Sequence, residues 1–145
     1  MSADETSAVI DASLAIKWII DEEGTKAAVA LRDRWHKNGT LLHAPEFLLV
    51  ELHNIVWKKL YRGLIAPNAP IIGQTPNFGL TLNWSLTQPL LTSAFLIGIQ
   101  YQISVYDGLY AALSQSLSAP LYTADQALAT KLQGSLIRVQ VVAHA

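Results

Sequence analysis

Residues 8–13 read Ala8-Val9-Ile10-Asp11-Ala12-Ser13. An apolar, β-branched run that stops at a carboxylate and passes into a helical pattern predicts a buried strand with Asp11 at its C-terminal end. In open α/β sheets that end is where ligands collect. The question is which other acids converge on Asp11, and the sequence offers few. After Glu51 the only carboxylates are Asp107 and Asp125, each at a predicted strand-to-helix junction. That scarcity makes the pattern informative.

The chain has 145 residues, a length that suits a single domain over 1–145 with a proper core. It is 51% hydrophobic and 14% charged, which favours a sheet covered on both faces. A net charge of -1 gives no bulk attraction for nucleic acid, so such binding needs a local basic patch or metal ions. Cysteine is absent, which excludes disulfides, thiolate metal sites and cysteine nucleophiles and is compatible with a cytoplasmic location. The polar, acidic start is unlike a signal peptide. Residues 63–106 carry no charge, but Pro67, Pro70, Pro76 and Pro89 interrupt every apolar run. None reaches the roughly 18 to 20 residues of a spanning helix, and no membrane segment is expected.

Reading outward from Asp11, 14–20 is a short, mostly buried helix, and Thr25 caps a second one through 38, ended by Gly39. Its core face is read as Ala27, Val29, Ala30, Leu31 and Trp35. A strand over 41–44 precedes a helix with Pro45 in its first turn and Gly63 after its end. At 100° per residue Glu51, Asn54, Ile55, Lys58 and Arg62 share one stripe, with Leu49, Val56, Trp57 and Leu60 opposite. The pattern then predicts a loop over 67–76, a strand at 80–82, and helices over 87–101 and 106–117. A strand at 121–123, a short helix opened by Asp125 and a strand at 137–142 complete it. Such alternation predicts an α/β fold with a mostly parallel sheet.

On parallel strands, Asp11, Glu51, Asp107 and Asp125 all point to one edge of the sheet. Carboxylates gathered there repel unless a cation joins them. Mg²⁺ or Mn²⁺ suits oxygen-only ligands and activates water for phosphodiester hydrolysis. Each acid alone has a plainer reading: Asp107 and Asp125 as helix caps, Glu51 as a solvated residue. Ser13 either holds Asp11 or caps the next helix, and Thr123 either orients Asp125 or is simply a strand residue. Asn54 is placed to hydrogen-bond an acid of the site. Lys58, Lys59 and Arg62 form a small basic patch that suits phosphates or merely faces solvent.

Four segments, VIDASLAIKW (9–18), VELHNIVWKK (50–59), SVYDGLYAALSQ (104–115) and APLYTADQAL (119–128), resemble the PIN domain family, and a free-standing domain of this size resembles its VapC-type toxins. The resemblance implies a three-layer α/β/α sandwich and a metal-dependent endoribonuclease. Asp11, Glu51, Asp107 and Asp125 would be the Mg²⁺ or Mn²⁺ ligands, and Ser13, Asn54 and Thr123 the supporting polar residues. It implies an RNA substrate, a VapB-like antitoxin and a homodimer. Gly108, where a better helix former is usual, is expected to loosen the turn after the third acid. Trp57 is also unexpected for the family. The alternative is a non-catalytic PIN-like module that only binds a protein or RNA. A dehalogenase-like phosphatase would need an acid at Ser13, and a phosphate-receiving domain an acidic pair beside Asp11.

Overall fold

The computed structural model describes residues 6–67 and 82–142. Strand β1 (Ser7–Ile10) leads into α1 (Ala12–Ala15), which continues as a 3-10 turn over Ile16–Trp18. Then come α2 (Thr25–Asn38), β2 (Leu41–Pro45), α3 (Phe47–Tyr61) and β3 (Leu82–Ser85). A 3-10 turn at Gln88–Leu90 runs into α4 (Leu91–Tyr101), followed by α5 (Val105–Leu117), β4 (Leu121–Thr123), α6 (Gln126–Lys131) and β5 (Val139–Val141).

The five strands form one sheet in the order β3-β2-β1-β4-β5, and every pairing is parallel. The α/β fold expected from the alternation is present. Ala8, Val9 and Ile10 are all completely buried, so both faces of the central strand are covered by helices. Trp35 of α2 meets Tyr122 of β4 edge-on at 4.8 Å, and α5 packs on β1 and β2. The chain leaves β1 toward β2 on one side and later returns to place β4 on the other. The switch point of the sheet therefore lies between the C-terminal ends of β1 and β4, where such sheets form a crevice. Asp11 stands directly after one of these strands and Asp125 two residues after the other.

Several local expectations are corrected. Pro45 ends β2 opposite Ser85 instead of opening α3. Thr25 does not cap α2: its hydroxyl accepts from the Glu22 N–H at 2.9 Å and donates to the Ile20 carbonyl, folding the preceding turn. Gly24, in the left-handed region at φ 87°, precedes the helix. The buried residues of α2 are Ala28, Leu31 and Trp35, while Ala30 is exposed. On α3 the core stripe is Leu48, Leu52 and Val56. Leu49, Trp57 and Leu60 face outward, because apolar residues surround this helix and a helical wheel cannot choose among them. The expected strand at 80–82 begins at Leu82, its earlier residues and most of the 67–76 loop lying outside the described residues. The last strand is shorter than 137–142.

Gly108 does not loosen α5. A Cβ there would stand 2.5 Å from the Ala94 carbonyl oxygen of α4. Its missing side chain lets the two helices touch, which overrides the propensity argument.

Candidate active site

Asp11 has extended backbone (φ −109°, ψ 178°), the shape of a helix N-cap, and its Oδ1 accepts from the Leu14 N–H at 3.1 Å. The same oxygen accepts from the Ser13 hydroxyl at 2.7 Å, and Oδ2 accepts from the Thr123 hydroxyl at 2.5 Å. Parallel register sets up the last contact: Ile10 pairs with Tyr122, so the next residues, Asp11 and Thr123, fall together. Ser13 Oγ also accepts from the Ala124 N–H at 2.9 Å, and Thr123 Oγ1 from the Asp125 N–H at 3.0 Å. Two hydroxyls thus clamp Asp11 and tie it to the loop carrying Asp125. The cap of α1 is Asp11 itself, not Ser13.

Asp125 caps α6 through the Leu128 N–H at 3.1 Å, so its plainer reading is present alongside its position at the switch point. Asp107 is no cap. Ser104 takes that role and accepts from the Asp107 N–H at 3.1 Å, and its side-chain hydrogen bond to the Asp107 carboxyl group lowers Asp107 against burial. Glu51, half-buried in the second turn of α3, accepts a 2.5 Å hydrogen bond from the Tyr110 hydroxyl.

The electrostatics join these four acids through Asp107. Burial pushes Asp11 up from 3.8 to about 6, against the hydrogen bonds from Thr123, Ser13 and Leu14, and the Asp107 charge adds to the rise. Burial raises Glu51, opposed by the Tyr110 hydrogen bond and reinforced by Asp107. Asp107 is raised by burial and then by the charge of Asp125. Such mutual pressure makes these acids a candidate functional site. Among the described residues, no three acidic or histidine side chains stand close enough to form a ready-made metal cluster.

The other sequence-selected residues lie apart from the four acids. Asn54 is exposed and bonds to none of them. Lys59 is drawn to Glu22 at 3.4 Å, and Glu22 also holds the buried Lys17 at 3.1 Å. Lys58 and Arg62 are exposed on the last turn of α3 and beyond it.

Two residues that the sequence reading passed over belong to the neighbourhood. Tyr110 is almost fully buried, and the charges of Glu51, Asp11 and Asp107 all raise its phenol, after burial itself. Its spacing from Asp107, one turn along α5, was the available signal. Lys131 lowers Asp107 by its charge and donates to the Gln102 carbonyl at 3.0 Å. Its position six residues beyond Asp125 gave no hint of this.

Parallel topology, four acids coupled through Asp107 and a hydroxyl clamp now stand beside a known protein. In sequence the chain is similar to a VapC ribonuclease. Ribonuclease VapC3 of Pyrobaculum aerophilum is 27% identical over 125 residues, covering 85% of this chain and 92% of that protein. The crystal structure of PAE2754 from Pyrobaculum aerophilum has the same fold, with a TM-score of 0.63, 20% identity, and coverage of 95% of this chain and 92% of that one. No family model matches the chain. The resemblance to VapC-type PIN proteins carried by the four segments is borne out. Among the described residues, no helix is long and apolar enough to cross a membrane.

Proposed function

We propose that the chain is a metal-dependent endoribonuclease, the toxin of a toxin–antitoxin pair, with Asp11, Glu51, Asp107 and Asp125 as its metal-binding acids. The observation that carries this reading is the electrostatic coupling of the four carboxylates, with Asp107 raising both Asp11 and Glu51 and itself raised by Asp125. Such a donor set fits Mg²⁺ or Mn²⁺: all oxygen, partly buried, and short of positive charge except at Lys131. A bound ion would polarise a phosphoryl oxygen and make a water acidic enough to attack it. The chain's own groups do the rest. Ser13 and Thr123 orient Asp11, Tyr110 holds one oxygen of Glu51, and Ser104 caps α5 and supports Asp107.

The similarity to ribonuclease VapC3 supports RNA as substrate and an antitoxin as partner. Exposed apolar side chains on α3 and α4, among them Trp57, Tyr61, Phe95, Leu96 and Ile99, support a protein partner or a second copy. Lys58 and Arg62 stay in the reading as phosphate contacts at the end of α3. Lys59, already paired with Glu22, is the weakest of the three.

The test pairs a Mn²⁺ titration with cleavage of a mixed cellular RNA pool, for the wild type and Asp107→Asn. Saturable Mn²⁺ binding and Mn²⁺-dependent cleavage, both sharply reduced in the variant, are expected. A folded, antitoxin-free wild type that binds no Mn²⁺ would overturn the reading in favour of a non-catalytic binding module.

A further inference from the structure

The rim of this site carries a feature the acids do not use. Tyr106 sits in the first turn of α5, immediately before Asp107, and its ring lies parallel to that of Phe47, with centroids 5.1 Å apart and planes 10° from parallel. Phe47 opens α3 one helical turn before Glu51. The pair therefore bridges the first turns of the two helices that supply Glu51 and Asp107. Phe47 is partly buried and packs against the core, whereas Tyr106 remains 60% exposed.

That asymmetry separates two roles. Rings whose task is to close a helix–helix contact are covered on completion of the fold. Here Phe47 backs one face of Tyr106 and the rest of the ring stays in water, at the turn of α5 that carries Asp107. The acids of the site repel a bare phosphate, but an uncharged aromatic base meets no such repulsion. A second exposed stack, Trp57 on Tyr61 at 5.3 Å, lies farther along α3. At six and ten residues past Glu51 it is about 9 and 15 Å away along the helix axis, too far to hold a nucleotide that reaches the acids directly.

We propose that Tyr106, backed by Phe47, is a stacking platform for an unpaired nucleobase of single-stranded RNA next to the phosphate being cleaved. The inference rests on the ribonuclease reading and adds to it the residue that holds a base of the substrate. Stacking accepts any base, because every base has a π-face. It selects against duplex, whose bases are already stacked on one another. Tyr106 thus makes the site prefer loops and single strands without choosing a sequence.

The experiment measures binding of fluorescein-labelled eight-nucleotide U and A RNAs, in Ca²⁺ buffer, to the wild type, Tyr106→Ala and Tyr106→Trp. Mn²⁺ affinity and melting temperature are recorded for each. Removing a stacking ring is expected to weaken binding of both RNAs roughly 5- to 100-fold, with the tryptophan variant restoring it. Mn²⁺ affinity should stay near the wild-type value, and an eight-base-pair duplex should bind no better to the wild type than to the alanine variant. Unchanged single-strand affinity in Tyr106→Ala would overturn the proposal and leave the ring as a protein-contact residue. Loss of Mn²⁺ affinity or of folding in that variant would overturn it too, by making Tyr106 a structural contact. A wild type that binds Mn²⁺ but neither RNA overturns the platform alone, whereas one that binds neither Mn²⁺ nor RNA overturns the nuclease reading with it.

Discussion

Asp11 holds its proton in the folded state to a higher pH than it would in an open chain. With the native pKa raised from 3.8 to about 6, the folded protein binds more protons than the unfolded one across that interval. The stabilising contribution is complete below about pH 4 and is lost as pH rises toward 6. The full swing is about 3 kcal/mol, so urea midpoints of the metal-free protein should fall over this range, and Asp11→Asn should flatten the fall. Glu51 and Asp107, also raised, act in the same direction. Tyr110→Phe tests a neighbouring contact. It removes the donor to Glu51 and should cost about 1–3 kcal/mol at pH 7. Equilibrium unfolding should show that gap narrowing as the pH falls and Glu51, raised by burial, takes up a proton. Tyr110 was hard to read from the sequence because a tyrosine among Leu109, Ala111 and Ala112 looks like ordinary core. Only the fold reveals that its hydroxyl ends at Glu51, 59 residues away.

At the scale of elements, β1, β2, β4 and most helix limits follow from period and punctuation, whereas β3 at Leu82–Ser85 shares one residue with the expected strand. Gly39 and Gly63, with φ of 69° and 68°, end α2 and α3 where a stop was expected. The faces of α3 do not follow, since Leu48, Leu49, Val50 and Leu52 all tempt a helical wheel and only packing against the sheet selects Leu48 and Leu52. Gly108 shows the same limit more sharply. On propensity alone Gly108→Ala would stabilise α5 by about 1 kcal/mol. Against the Ala94 carbonyl it should instead destabilise by about 1–3 kcal/mol, the range for overpacking. Thermal unfolding decides the sign. Because Asp107 is the preceding residue, Mn²⁺ affinity should fall with it.

Across the whole molecule, the four acids were legible as a set because carboxylates are scarce after Glu51, while their coupling through Asp107 needed the folded sheet. Ligand linkage makes that coupling measurable. An ion held by the four acids raises stability by an amount set by its concentration over its dissociation constant, about 2.7 kcal/mol at a hundredfold excess. Mn²⁺ should therefore raise the melting temperature at pH 7 and lose this effect near pH 4, where Asp11, raised to about 6, holds a proton. Asp107→Asn should show little Mn²⁺ effect at either pH. Calorimetric scans with and without Mn²⁺ supply the comparison.

The strand order also sets a timetable. During synthesis the amino-terminal half emerges carrying Asp11 and Glu51, with β1 able to pair only with β2. Its other neighbour, β4, is written more than a hundred residues later, as are Thr123 and Asp125. Contacts this distant along the chain close late in folding. A nascent chain still on the ribosome thus has half its acids and no clamp on Asp11. On the proposed function, the connectivity of the sheet withholds the nuclease site from any nascent chain that has not yet made β4.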